Sequence, residues 1–462
     1  MKEIREKFQK SIFNKRVTVI GLGLSGKAVS ILANHLGAIV YASDSGLSEE
    51  ITSNAVELMH QHHIASETGI HSSKIYQADL WIVSPGVYAD SKIVNEAFNL
   101  SIPVVSEVEF ASWFTKSPII GITGSNGKTT TTYILHQMFQ DNKTVGVVGG
   151  NIGIPFSECV LKEILRPNKK IVYLLELSSF QLEFISSFCP FMAIYTNISE
   201  DHLDRHNSME QYIEMKKRLS KNFTEKNTVI FNEDDDTLMS IFNNAKFKTR
   251  TYGIKSLNHT FYIKNNSIYH RDSNDFIVHI DELNIKGEHN ILNCLAAATC
   301  ADAYGIRKEK IRDALQSFKG ITHRIEYVST IKDVDYFNDS KATNINSVLV
   351  AIKSFKRPVI LLLGGYNKGV DFRLLIPHIK LNSVKTVLTY GEAGEQIKSA
   401  LGDAVRLFRL SDLNSAVKKA HLIAQPGDIV LLSPGCASFD QFRNFEARGD
   451  FFKTAVNKLL QI

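Results

Sequence analysis

The segment from Ile119 to Thr130, Ile-Ile-Gly-Ile-Thr-Gly-Ser-Asn-Gly-Lys-Thr-Thr, constrains the fold more than any other part of the chain. The apolar run from Pro118 to Ile122 reads as a buried strand. A glycine-rich turn follows, and Thr130 to Phe139 reads as a helix. Strand, tight turn and helix in that order form one unit of an α/β sheet. The glycines let the backbone of Gly124, Ser125, Asn126 and Gly127 converge on phosphate oxygens, and the helix N-terminus adds partial positive charge. Lys128 would reach the β- and γ-phosphates, and the hydroxyl of Thr129, beside Thr130, would hold Mg2+. The loop is shorter than the common form, because the glycine expected five residues before Gly127 is Ile122. An ordinary strand–turn–helix is the competing reading, but it leaves the order Gly-x-x-Gly-Lys-Thr unexplained.

The 462 residues are enough for roughly three domains. An apolar share of 44% and a charged share of 22% belong to a globular protein whose domains can each bury a core. The net charge of +5 is too small to suggest a nucleic-acid partner, though it suits anionic ligands. The five cysteines, 159, 189, 294, 300 and 436, have no paired spacing and read as reduced core residues. The charged N-terminus lacks the apolar core of a signal peptide. No apolar run approaches the ~18 residues needed to span a membrane. A cytoplasmic location with no membrane partner is expected.

Strand-like and helix-like segments alternate along the chain, so α/β architecture with mostly parallel sheets is expected. The first region, 1–115, is Rossmann-like. Arg16 to Ile20 is a strand, Gly21-Leu-Gly-Leu-Ser-Gly26 opens a helix through Leu36, and Ala38 to Ala42 is the next strand, with Asp44 at its end. This is a dinucleotide fingerprint, although any nucleoside diphosphate can use the same helix terminus and acid. Asp79 to Gly86 reads as another buried strand ending in a ligand-ready turn. The second region, 116–320, carries the phosphate loop. It holds hairpins around Asn265 to Asp275 and ends on a helix from Asn290 to Tyr304, closed by Gly305. The third region, 321–462, is again Rossmann-like, with apolar strands from Pro358 and Gly427 ending in glycine turns.

Several clusters carry chemistry. Glu176 ends an apolar strand, where an unpaired carboxylate is costly; a Mg2+ beside Thr129 or a capping or salt-bridge role would satisfy it. Asn197 to His206 gathers two histidines, three acids and an arginine, as metal or phosphate sites do, and a solvated loop does too. Asn232 to Asp236 reads as a turn. Asn290 and Asn293 share a helix face and could read a purine edge, or Asn290 could cap the helix. Asp339 to Asn344, Gly364 to Gly369 and Ser433 to Phe442 are three donor-rich loops in one region, which suggests a second substrate.

Together these strings resemble the Mur ligases, ATP-dependent amino-acid ligases of peptidoglycan precursor synthesis. The resemblance covers essentially the whole chain. It is carried by residues 21–26, 123–129, Gly-Gly-Asn-Ile-Gly (149–153), Glu-Leu-Ser-Ser-Phe-Gln-Leu-Glu (176–183), Glu-Asp-His-Leu-Asp-Arg (200–205), Asn-Asp-Ser-Lys-Ala-Thr-Asn (338–344) and Ala-Ser-Phe-Asp-Gln-Phe (437–442). The last two strings mark the D-glutamate-adding branch.

The resemblance implies roles. Leu24, Ser25, Asp44, Ser45 and Gly86 would bind a UDP-sugar, which replaces NAD as the ligand of the fingerprint. Lys128 and Thr129 would hold ATP phosphates and one Mg2+, with Glu176 as a further ligand and His202 on a second ion. Asn151 would touch the substrate near its reacting carboxylate. Asn290, Asn293, Arg324 and Asp339 would hold adenosine and phosphates, and Lys341, Thr343, Lys368, Ser438 and Phe445 would position D-glutamate. The family carbamylates a lysine with CO2, and Lys216 aligns with it, with Lys217 one register away. A free lysine, with a pKa of about 10.4, would repel Mg2+; its carbamate is an anion. Tyr366 departs from the small or acidic residue expected before Lys368. The implied reaction joins D-glutamate to UDP-N-acetylmuramoyl-L-alanine through an acyl phosphate, in a monomeric enzyme. The rivals are a sister ligase with another amino acid, folylpolyglutamate synthase (which lacks the UDP-binding region), an NAD-dependent oxidoreductase and a non-enzymatic nucleotide-binding module.

Overall fold

The structure, a computed structural model, describes residues 2–140, 144–167, 170–200, 203–206, 208–285, 287–367, 369–381 and 383–460. The chain divides into two compact units. The first comprises Met1–Leu283 with His289–Phe318, and the second Asn284–Glu288 with Lys319–Ile462.

The first unit holds two of the three regions expected from the sequence. Its N-terminal sheet has five parallel strands in the order Ala65–Thr68, Ile39–Asp44, Arg16–Ile20, Leu80–Val83, Val104–Ser106. The order reverses between Arg16–Ile20 and Leu80–Val83, which is where open α/β sheets bind ligands at their carboxyl ends. The second sheet has six parallel strands in the order Lys248–Tyr252, Thr228–Asn232, Met192–Tyr195, Ile119–Thr123, Lys170–Glu176, Thr144–Gly150. Ile119–Thr123 lies inside this sheet and is buried along its whole length, as a central parallel strand covered on both faces must be. The hairpins expected near Asn265 to Asp275 form a separate three-stranded antiparallel sheet over Phe261–Lys264, Ser267–His270 and Asp275–His279.

Two buried glutamates tie these sheets together. The helix Glu107–Ser112 follows the last strand of the first sheet, and every one of its residues is buried. Glu109 accepts hydrogen bonds from the backbone N–H groups of Ser186, Ser187 and Phe188, at 2.8 to 3.1 Å, and from Trp113 Nε1 at 2.9 Å. Glu107 accepts from the backbone and hydroxyl of Ser157, in the first turn of the helix Phe156–Leu165. The backbone N–H of Ser106 donates to Phe184 O. Phe184 in turn packs into the apolar cluster of Ile20, Trp81 and Val83. These contacts cross the boundary expected near residue 115.

The second unit is built on six strands in the order Glu326–Ile331, Val334–Asn338, Ile429–Leu432, Val359–Gly364, Val384–Tyr390, Arg406–Arg409. Only the edge strand Glu326–Ile331 runs antiparallel. Four of the cysteines are buried, as expected, but Cys189 is exposed. It follows Phe188 at the end of the segment that Glu109 anchors, beyond the apolar cluster that takes Phe188.

Candidate active site

The phosphate loop is shaped by steric exclusion. Gly124 has φ +145° and Gly127 has φ +82°, conformations that L side chains rarely adopt. A Cβ on Gly124 would overlap Thr196 Oγ1, and one on Gly127 would overlap Asn293 Oδ1. The helix then runs Lys128–Met138, starting two residues before the expected Thr130. The loop is braced by a neighbouring segment. Ser125 N donates to Asn197 O at 2.9 Å, Asn126 N to Asn197 Oδ1 at 2.9 Å, and Ser125 Oγ to Ser199 O at 2.8 Å. Lys128 Nζ folds back onto its own loop and donates to Gly124 O and Ser125 O, each at 2.8 Å. Thr131 Oγ1 donates to Asn293 Oδ1 at 3.3 Å, and Asn293 Nδ2 donates to Asn290 Oδ1 at 3.3 Å. The asparagine pair therefore lies against the loop. Its helix begins at Glu288 rather than Asn290, so Asn290 sits inside the first turn.

Glu176 is 2% exposed at the end of its strand. Its Oε1 accepts from Asn151 Nδ2 at 2.8 Å, and its backbone O from Asn151 N at 2.8 Å. Its Oε2 is buried without a hydrogen-bond partner among the described residues. A buried carboxylate oxygen left in that state costs free energy unless a cation or donor arrives. The register pairs Ile122 with Glu176 on the adjacent strand, so this oxygen belongs to the same sheet edge as the loop. The donor set fits a hard divalent cation.

Lys216 is 1% exposed and donates to Gly124 O at 2.8 Å, with Nζ 4.5 Å from the Tyr212 ring centroid. Tyr212 in turn reaches Ser125 Oγ at 3.1 Å. Lys217 instead pairs with Glu214 at 3.0 Å on the more exposed side of the helix Met209–Lys217. His202 lies outside the described residues. Two other members of the cluster, His206 and Arg205, are engaged. His206 Nε2 meets Ser179 Oγ at 2.8 Å and its ring stacks on Phe180. Arg205 donates to Glu183 at 2.8 Å and Val87 O at 2.9 Å and lies over the rings of Tyr88 and Phe180. Asp235 caps the helix Asp236–Phe242, as the turn reading of that segment requires.

The N-terminal sheet opens into a cavity of about 580 Å3 at its switch point. All five residues of the expected UDP set, Leu24, Ser25, Asp44, Ser45 and Gly86, line it. Asp44 accepts from Leu22 N at 2.6 Å and Gly46 N at 2.7 Å, one bond to each oxygen. The carboxylate thereby folds the two turns that wall the cavity.

In the second unit, His323 and Ile325 flank Arg324 at φ +64° and +44°. For Ile325, a β-branched residue, that is a strained backbone. Asp339 is 5% exposed; its Oδ2 accepts from Ser433 Oγ at 2.8 Å and its Oδ1 from Ile325 N at 3.2 Å. Burial pushes its carboxyl up to about 7, with Ser433 and Arg324 opposing. Lys341 Nζ lies 5.7 Å from the Phe445 ring centroid, Ser438 is buried and Thr343 is exposed. Lys368 lies outside the described residues. Tyr366 pairs its backbone with Ala437 in both directions, at 2.9 and 3.1 Å, and leaves its side chain 41% exposed. The clamp between these two loops is therefore independent of that side chain. The sequence reading missed Arg448. It is fully buried and donates to Ser340 Oγ at 3.0 Å, Ser340 O at 2.8 Å, Cys436 O at 3.1 Å and Ala437 O at 3.2 Å. It pins two of the donor-rich loops to the helix Phe445–Leu459. Its one signal is position: it shares the buried face with Phe452, Ala455, Val456 and Leu459.

Three family models match the chain in order: a MurD N-terminal domain over 16–93, a Mur ligase middle domain over 122–301, and a Mur ligase glutamate ligase domain over 323–436. The UDP-N-acetylmuramoylalanine–D-glutamate ligase of Salinibacter ruber is 37% identical over 460 residues, covering 96% of this chain and 98% of its own. That of Thermoanaerobacter pseudethanolicus is 39% identical over 457 residues, covering 96% and 98%. Among solved structures, the UDP-N-acetylmuramate-alanine ligase of Thermotoga maritima aligns with a TM-score of 0.57 at 19% identity, over 97% of this chain and all of the other. The MurF ligase of Thermotoga maritima in complex with ADP aligns with a TM-score of 0.57 at 15% identity, over 98% and 97%. At those identities the structures speak for the fold.

Proposed function

The chain belongs to the Mur ligase family, and from that premise we propose that it joins D-glutamate to UDP-N-acetylmuramoyl-L-alanine with consumption of ATP, as a step of peptidoglycan precursor synthesis. The observation that supports this reading is a switch-point cavity and a glycine–lysine loop built in one unit, in a chain that matches such ligases over 96% of its length. No described helix is long and apolar enough to cross a membrane. The reading extends to a monomeric, cytoplasmic enzyme acting on small molecules.

A carboxylate is a poor electrophile, because direct substitution would expel oxide. The L-alanine carboxylate attacks the γ-phosphorus of ATP, ADP departs, and an acyl phosphate results. The D-glutamate amine then attacks the acyl carbon, the C–N bond forms, the amine loses its proton and phosphate leaves. The loop N–H groups and Lys128 bind the triphosphate, Lys128 exchanging its two carbonyl contacts for phosphate oxygens. Asn151, held by Glu176, orients the reacting carboxylate. Thr129, Glu176, His202 and Lys216 as its carbamate are the proposed holders of two Mg2+ ions, whose charge offsets repulsion between carboxylate and phosphate. For Lys216 the supporting observation is a buried amine at the loop carbonyl of Gly124. The roles assigned to Asn290, Asn293, Arg324 and Asp339 on ATP, and to Lys341, Thr343, Lys368, Ser438 and Phe445 on D-glutamate, rest on the family resemblance.

The test is phosphate release from ATP in the presence of UDP-N-acetylmuramoyl-L-alanine and a panel of amino acids. Release with D-glutamate alone is expected. Release with another amino acid would move the chain to a sister branch, and release with none would overturn the ligase reading.

A further inference from the structure

We propose that His71 selects the uracil base by accepting a hydrogen bond from its imide N3–H. The inference rests on the reading of the N-terminal cavity as a UDP site. His71 lines that cavity with Asp44 and Ser45 but belongs to none of the motifs that mark the site. Its Nδ1 lies 2.7 Å from Ser43 Oγ. Ser43 has one hydroxyl hydrogen, and that hydrogen goes to Glu67 Oε1 at 2.8 Å. A carboxylate can only accept, so His71 Nδ1 carries the proton in the bond to Ser43. The parallel register sets Ser43 opposite Glu67 and fixes the relay. Glu67 stays ionised. Burial works against its charge, but hydrogen bonds from Ser72, Tyr41 and Ser43 outweigh it and hold the carboxyl low. Burial lowers the His71 pKa against the pull of Asp44 and Glu67. A neutral ring with hydrogen on Nδ1 has a lone pair on Nε2.

The layout of the cavity indicates what that lone pair meets. The helix Leu24–His35 begins at the turn with no side-chain cap, which leaves its N–H groups for the diphosphate. Asp44 stands one strand outward, where a ribose is held in this architecture. His71 follows the strand beyond, Ala65–Thr68, and so stands at the base end. Leu47 and Ile70 are 71% and 63% exposed there, and Leu47 packs against Gly69. Uracil presents a donor at N3, flanked by two acceptors, whereas cytosine presents an acceptor. An acceptor at His71 therefore favours the first and opposes the second.

The experiment is calorimetric titration of the full chain with UDP, N3-methyl-UDP and 2′-deoxy-UDP. Wild-type protein should bind UDP well above N3-methyl-UDP. His71→Leu should weaken UDP roughly three- to tenfold, as loss of one hydrogen bond does, and leave N3-methyl-UDP unchanged. His71→Gln, which keeps an acceptor, should preserve most of the preference. Equal binding of UDP and N3-methyl-UDP by wild-type protein would overturn the proposal without any variant. So would a His71→Leu effect that follows the 2′-hydroxyl instead of N3. If wild-type protein binds none of the three, the reading of the cavity itself fails, and this inference with it.

Discussion

The first unit contains two glycine turns that open helices at the ends of buried parallel strands, and each has an acid on a neighbouring strand. At the turn after Arg16–Ile20, Asp44 spends one bond from each carboxylate oxygen on backbone donors, Leu22 N and Gly46 N. At the turn after Ile119–Thr123, Glu176 spends one oxygen on Asn151 and keeps the other buried and unpartnered among the described residues. The first acid builds its pocket from within the chain. The second keeps one oxygen buried with no partner that the described residues supply. The same strand–turn–helix therefore has two surroundings: a recess whose acid is satisfied by backbone donors, and a loop beside a buried carboxylate oxygen that has no partner among the described residues.

The comparison can be broken most sharply at the phosphate loop. Lys128→Ala is expected to lower turnover by on the order of 10^3-fold or more, while UDP affinity measured by calorimetry stays within about twofold. Equal loss of both would mean that the two turns are not separate sites. Lys216→Ala is expected to be nearly inactive and partly rescued by a short carboxylic acid; normal phosphate release from that variant would remove the carbamate. Glu176→Gln keeps shape and removes charge. Turnover should fall by about 10^2-fold with a shift in Tm of no more than about 3 °C, and a large loss of stability would show that the glutamate is chiefly structural. Asp44→Ala should weaken UDP by about tenfold with loosening of its turn, because two backbone donors lose their acceptor. Unchanged UDP affinity would undo the contrast.

The smallest effect extends the contrast to a third strand-end acid. Asp339 has both oxygens engaged, yet burial pushes its carboxyl from an ordinary 3.8 to about 7. A raised carboxyl pKa favours the protonated folded form. The stability it contributes is present at low pH and is lost as pH rises through about 7. Between about pH 4 and 7 the Tm of Asp339→Asn should fall less with rising pH than that of the wild type, and above about 7.5 the two should run parallel.

Much of this was legible in the sequence because loops and strands are encoded locally. The phosphate loop announces itself through Gly124, Gly127 and Lys128, whose backbone needs are specific to those residue types. Leu24, Ser25, Asp44, Ser45 and Gly86, expected around the UDP-sugar, lie on one cavity because they occupy fixed offsets from strand ends, whereas Asn151, expected on the same ligand, does not line it. What escaped depends on contacts distant in sequence. Arg448 serves loops that lie 12 and 108 positions away, so no window of sequence reveals it. His71 gains its orientation from Ser43, 28 positions earlier. Cys189 looked like core because its neighbours are apolar, but the chain turns outward one residue after the anchored Phe188.

Glu109 has a consequence for anyone who would cut this gene. Residues 1–115, expressed by themselves, would carry a carboxylate stripped of the donors at 186–188 and an apolar cluster lacking Phe184. The N-terminal sheet is thus not a portable module. A fragment screen for ligands of the switch-point cavity needs the chain to extend through the central sheet, and a split-protein pair divided at residue 115 should reassemble spontaneously rather than remain as two soluble halves.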